Sequence, residues 1–77
     1  MRFWDSSAVV PLLVAEPSSE AVMRAYELDL EIVVWWATVA ECVSALTRLE
    51  RDGSLIAPSL TDALGRLEGL ARAWREV

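Results

Sequence analysis

Three observations predict an α/β fold with a parallel sheet, of which this chain forms the N-terminal portion. Two apolar runs rich in β-branched and aromatic residues, at 1–4 and 31–36, are each followed by two helical segments. Strands separated by helices pair in parallel through crossover connections. Hydrophobic residues make up 55% of the 77 positions, four of them Trp, and the mean hydropathy is +0.33. That is more apolar surface than so small a domain hides by itself. Finally, two parallel strands do not make an independently stable sheet, and the chain reaches Val77 where a third would begin. The expected order is strand, helix, helix, strand, helix, helix, and residues 1–77 read as the N-terminal part of a single domain.

Residues 1–4 are short, apolar and aromatic, and read as a buried strand. In Asp5-Ser6-Ser7 either Ser can cap the following helix, because its hydroxyl accepts from the free N–H groups of the first turn. That helix covers 8–15, with Pro11 early enough to distort it without breaking it. Pro17-Ser18-Ser19 restarts the chain, and a second helix over 20–28 places Val22, Ala25 and Tyr26 on one face. The unbroken run Ile32-Val33-Val34-Trp35-Trp36 fits a strand covered on both sides. A third helix opens near Thr38 with Val39, Cys42, Val43, Leu46 and Leu49 as its apolar stripe, and ends at Asp52-Gly53. Ser59-Leu60-Thr61-Asp62 reads as a capping box opening the fourth helix, whose stripe is Leu60, Leu64, Leu67, Ala71 and Trp74.

Composition removes several chemistries. All seven basic residues are Arg, and His and Lys are absent. Histidine-based zinc sites, Ser-His-Asp triads and the P-loop lysine are therefore impossible within this chain. The single Cys42 forms no internal disulfide or CxxC site, so a reducing, cytoplasmic compartment is expected. The uncharged runs at 6–15 and 32–40 fall far short of the ~20 residues of a membrane-spanning helix. Asp5 precedes any long apolar run, unlike a signal peptide. With the membrane set aside, the apolar excess points to burial in a partner or to a piece of a larger domain. Twelve acidic residues leave a net charge of −5, which disfavours loose electrostatic binding to nucleic acid but leaves room for nucleic acid held through metal ions.

Two carboxylates stand out. Asp5 closes the first strand directly before a helix, at the edge where open α/β sheets bind ligands; it reads equally as a simple N-cap. Glu41 lies off the apolar stripe of the third helix, among Ala37, Ser44, Ala45 and Arg48. Small neighbours leave room for a metal or ligand, and Arg48 can help to keep the carboxylate ionised; a solvated Glu on an exposed face is the simpler reading. Hard cations need only one or two protein carboxylates together with water and phosphate oxygens. Trp4, Trp35, Trp36 and Trp74 read mainly as core, with one of Trp35 and Trp36 turned toward a site or interface, where base stacking is a further option. Cys42 reads as a small buried hydrophobe. Arg48 and Arg51, near Glu50 and Asp52, read as members of exposed ion pairs of little energetic weight.

The stretch Phe3-Trp4-Asp5-Ser6-Ser7-Ala8-Val9-Val10-Pro11-Leu12-Leu13 resembles the opening of PIN-domain proteins of the VapC toxin type. Thr38-Val39-Ala40-Glu41-Cys42-Val43-Ser44-Ala45-Leu46-Thr47-Arg48 resembles their second acidic motif, and Glu16-Pro17-Ser18-Ser19-Glu20 fits between them. The resemblance runs over nearly the whole chain. It implies a PIN-like fold and a metal-dependent endoribonuclease using Mg²⁺ or Mn²⁺, acting on RNA and neutralised by an antitoxin protein. It also implies Asp5 and Glu41 as catalytic metal ligands, with Ser6 or Ser7 in support. The family's later acidic residues have no counterpart here, since Asp62 and Glu68 do not match them. The chain is thus expected to be inactive alone and to pair with itself or with the missing C-terminal part. The alternative is a non-catalytic remnant or interaction module that pairs with a full PIN protein or an antitoxin.

Overall fold

The computed structural model describes residues 1–77 in the order β1 (Arg2–Phe3), α1 (Ser6–Leu13), α2 (Ser19–Leu28), β2 (Ile32–Val34), α3 (Thr38–Arg51), α4 (Ala57–Ala73) and β3 (Arg75–Glu76). The α/β class is as expected; the strand count is not. β3 follows α4 and completes a three-stranded sheet in the order β1-β2-β3. Both pairings are parallel, with Phe3 opposite Val33 and Val34 opposite Glu76. Arg75 and Glu76 carry no hydrophobic pattern, so apolar periodicity could not reveal β3. Backbone pairing alone defines it, with the Val77 N–H donating to the Val34 carbonyl at 2.9 Å.

β2 is the central strand and the only one wholly buried. Ile32 and Val34 join the main core cluster. Val33, one residue out of phase, is buried outside that cluster, as the alternation of a strand requires. β1 is not the buried strand its sequence suggests. It lies at the sheet edge with Arg2 and Phe3 exposed, and only the following Trp4 enters the core. Trp35 and Trp36 likewise leave the strand. The Thr38 N–H bonds to the Trp35 carbonyl at 3.0 Å, so the turn into α3 ends β2 two residues early.

α1 starts two residues before its expected position because Asp5, not Ser6 or Ser7, is the N-cap. Its run Val9, Val10, Pro11, Leu12 and Leu13 is entirely buried, as befits a helix apolar on all sides. It packs against α2, α3 and α4. The Arg66 guanidinium donates to the Leu13 carbonyl at 3.0 Å, satisfying one of the orphan groups at the end of α1. Ser19 ties the link to α2, donating to the Val14 carbonyl and accepting from the Glu16 N–H. α2 contributes Val22, Ala25 and Tyr26 as partly buried packing, and Tyr26 meets Trp4 edge-on.

In α3, Cys42 and Leu46 are fully buried and Val39 packs beside them. Val43 is more exposed than its place in the stripe suggests, and Ala45 takes part in the packing instead. Gly53 ends the segment at φ 81°, a left-handed conformation that costs glycine little. The capping box expected at 59–62 is absent. α4 begins at Ala57 with Pro58 in its first turn, where a fixed φ favours initiation, so Ser59 is already helical. Ala63, Leu67 and Trp74 seal α4 against the core. The ion pairs expected for Arg48 and Arg51 do not form; the side-chain pairs are Arg24 with Glu20 and Arg72 with Glu68, both one helical turn apart. No helix is long and apolar enough to cross a membrane.

Candidate functional site

Glu41 sits in the first turn of α3, where a carboxylate is favoured by the positive end of the helix dipole. With Ala37, Ala40, Ser44, Ala45 and Arg48 it lines one wall of an open cleft of about 430 Å³. All four face-mates expected from helical spacing are in that wall. Ser6 from the start of α1 and Trp35 from the turn just after β2 complete the lining. The cleft therefore gathers the start of α1, the turn that follows β2 and the first turns of α3.

The Trp35 indole Nε1 donates to Glu41 Oε1 at 3.2 Å. This contact fixes one carboxylate oxygen and leaves the other for a ligand. Sequence reasoning put one of the two tryptophans near a site without choosing; the structure chooses Trp35. The signal was weak because a strand-end residue meets a helical residue six positions later only once the intervening turn is known. Arg48 shares the cleft but forms no ion pair with Glu41.

Asp5 directly precedes Ser6 in sequence but is not itself among the residues that line the cleft. Its Oδ1 accepts from the Ser7 hydroxyl at 2.6 Å and from the Ala8 N–H at 3.1 Å. The Ser7 hydroxyl first, then the Ala8 N–H, hold its carboxyl below the usual carboxylate range. Both bonds fall on Oδ1, so capping α1 leaves Oδ2 without a hydrogen bond. Asp5 is thus a cap, as its simpler reading had it, and a cap with a free oxygen. Ser7 supports Asp5 directly, and Ser6 faces the cleft.

No group of three or more Cys, Asp or Glu side chains converges anywhere in the chain. The donors at hand suit a single hydrated hard cation, which takes one or two carboxylates and keeps most of its waters. They do not suit a two-metal centre. Asp62 lines a different cleft, with Glu16, Ser59 and Arg66, which shares no residue with the Glu41 cleft. Cys42 is no alternative nucleophile. Burial, reinforced by the charge of Glu41, pushes its thiol up to about 11. No protein-family model matches the chain, and no curated protein matches it either.

Proposed function

We propose that the chain carries the first two acidic positions of a VapC-like PIN endoribonuclease, with Asp5 and Glu41 as ligands of Mg²⁺ or Mn²⁺. The observation that supports this reading most is the Glu41 cleft. Ser6 lines it with Glu41, Asp5 precedes Ser6 in the chain without lining the cleft itself, and each carboxylate keeps an oxygen free. A bound divalent ion would supply a polarised water and charge neutralisation at a phosphodiester. Asp5 and Glu41 would orient that ion's water shell, Ser7 would keep Asp5 ionised, and Ser6 would donate to a water or phosphate oxygen. Arg48, the only basic residue in the cleft, would pair with a phosphate oxygen.

Two carboxylates fall short of a two-metal cluster, so efficient hydrolysis calls for further acids from another segment or chain. That favours a second reading: an interaction module whose exposed apolar residues pair with a PIN protein or an antitoxin. Phe3, Leu28, Leu30 and Ile56 are all well exposed, which is the specific observation on its side.

Calorimetric titration with Mg²⁺ and Mn²⁺, joined to an RNA-cleavage assay, tests the proposal. The chain should bind the ion weakly, and Asp5→Asn and Glu41→Gln should each abolish binding. Metal-dependent cleavage that survives both substitutions would overturn the site assignment. Antitoxin-like capture with no ion binding would favour the second reading.

A further inference from the structure

β1 has β2 on one side and nothing on the other. The Arg2 N–H donates to the Glu31 carbonyl at 3.1 Å, and the Trp4 N–H donates to the Val33 carbonyl at 2.7 Å. Main-chain groups alternate in direction along a strand, so those of the intervening Phe3 turn away from β2. Phe3 therefore presents one N–H and one C=O at the open edge, and its side chain is 62% exposed.

An apolar groove of about 290 Å³ adjoins this edge. Phe3 and Trp4 line it together with Ala8 of α1 and Ala21, Val22 and Ala25 of α2. The three alanines keep the approach to the edge open. Leu30, 65% exposed, adds apolar surface at the same end of the sheet. It lies between Asp29, which pairs with the Met1 amino group, and Glu31, which bonds to Arg2.

The free N–H and C=O of an edge strand are matched by another extended strand. Three features select a second copy of this chain as its source. Both free groups belong to one residue, so a two-fold axis at Phe3 satisfies each with the same residue of the copy. Arg2 precedes Phe3 and Asp5 follows it, so antiparallel pairing sets the Arg2 end of each copy against the Asp5 end of the other. Parallel pairing would set like charge beside like. The antiparallel register also places Arg2 of the copy opposite Trp4. Its methylene stem can lie along the groove while the guanidinium stays in water. The net charge of −5 opposes this little, because charges more than about 8 Å apart are largely screened at physiological salt.

We propose that two copies of this chain pair antiparallel through β1, Phe3 against Phe3, and so join two three-stranded sheets into one. This pairing is independent of the reading of the Glu41 cleft. The contact is small by the standard of stable dimers, so association in the micromolar range is expected.

Sedimentation equilibrium of the full chain, joined to cysteine cross-linking, tests the pairing. The chain should form a dimer and nothing larger, because the two-fold axis closes the contact. Phe3→Pro removes the outward N–H without touching a bond to β2, and should weaken the dimer by about tenfold or more. Phe3→Leu should keep it. In a hydrogen-bonded antiparallel pair the Cα atoms lie about 5.5 Å apart, within reach of a disulfide. Phe3→Cys should therefore link two copies on mild oxidation, and Glu76→Cys, on the opposite edge, should not. Cys42 is buried and does not compete.

A monomer at high micromolar concentration, or an open-ended series of oligomers, would overturn the proposal. So would a dimer that Phe3→Pro leaves intact, or one that Phe3→Cys fails to cross-link. If Phe3→Pro does not fold, the comparison of Phe3→Cys with Glu76→Cys decides alone.

Discussion

The Trp35 indole N–H reaches across the β2–α3 turn to Glu41 Oε1 at 3.2 Å, joining the end of the central strand to the candidate metal-ligating helix. A carboxylate in an open cleft is otherwise free to rotate, and a hydrogen-bonded partner narrows its orientations. Partners of this kind commonly alter metal affinity by about ten- to a hundredfold. Trp35→Phe keeps the ring and removes the N–H. It should weaken Mg²⁺ binding by about tenfold while leaving the melting temperature within a degree or two; calorimetric titration and a thermal melt would read the two effects. Unchanged affinity would mean that the contact does not orient Glu41 toward an ion.

Asp5 combines two roles that substitution can separate. Asp5→Ala removes the α1 cap and should cost about 1 kcal/mol, whereas Asp5→Asn keeps an equivalent cap. The Asn variant should therefore unfold like the parent in urea yet lose metal binding. Loss of stability in Asp5→Asn comparable to that in Asp5→Ala would show that charge, not capping geometry, is what α1 needs.

The same residue predicts an acid dependence. Its carboxyl lies below the reference value of 3.8 in the folded chain. The folded state thus binds the proton less readily than the unfolded state. The stability from this group is fully present above that reference value and is lost as pH falls through the lowered folded value. Urea midpoints measured from pH 6 down to pH 2 should fall less steeply in Asp5→Asn than in the parent. Parallel curves would remove the assignment.

Cys42 should behave as a core residue. Its thiol is fully buried and raised from 9.0 to about 11, so the folded state holds this proton more tightly than the unfolded chain. Its contribution to stability is complete below pH 9 and declines as pH rises through the folded value. At pH 8 a thiol reagent should label the native chain only at its opening rate, and labelling should become immediate in denaturant. Fast labelling under native conditions would contradict the packing of α3.

The Thr38 hydroxyl is buried without a hydrogen-bond partner. An orphan of this kind costs about 1–3 kcal/mol, and Val replaces Thr at the same volume. Thr38→Val should raise stability by about 1 kcal/mol, measured by urea unfolding. Leu46→Ala, at a fully buried position of the same helix, should cost about 2–5 kcal/mol. Small domains hold roughly 5 kcal/mol in all, so that variant should keep only part of the parent's stability and unfold at a much lower urea concentration. A destabilised Thr38→Val variant would imply a partner for the hydroxyl.

β1 and β3 each leave one edge of the sheet open, and Phe3 lies exposed on β1. Open edges recruit other strands. Sedimentation should show concentration-dependent association that Phe3→Glu weakens and Trp36→Ala does not. A monomer at high micromolar concentration would refute this.

Residue pattern alone determined the four helices, the central strand and the face of α3 that carries Glu41. These depend on neighbours in sequence: helical spacing groups Ala37, Glu41, Ser44, Ala45 and Arg48, and the β-branched run Ile32-Val33-Val34 demands burial on both sides. Local chemistry also singled out Asp5-Ser6-Ser7 as a helix start, though it could not say which of the three would cap. Tertiary structure decided what depends on residues far apart in the chain. Arg75 and Glu76 become a strand only because β2 offers its free backbone groups, and neither side chain announces it. The cleft exists because β2 brings the start of α3 beside the start of α1, so that Ser6 and Glu41 line the same cleft. The division between Trp35 and Trp36 is of the same kind. Two identical side chains in succession carry identical local signals, and only the turn that follows β2 directs one to Glu41 and leaves the other open to solvent.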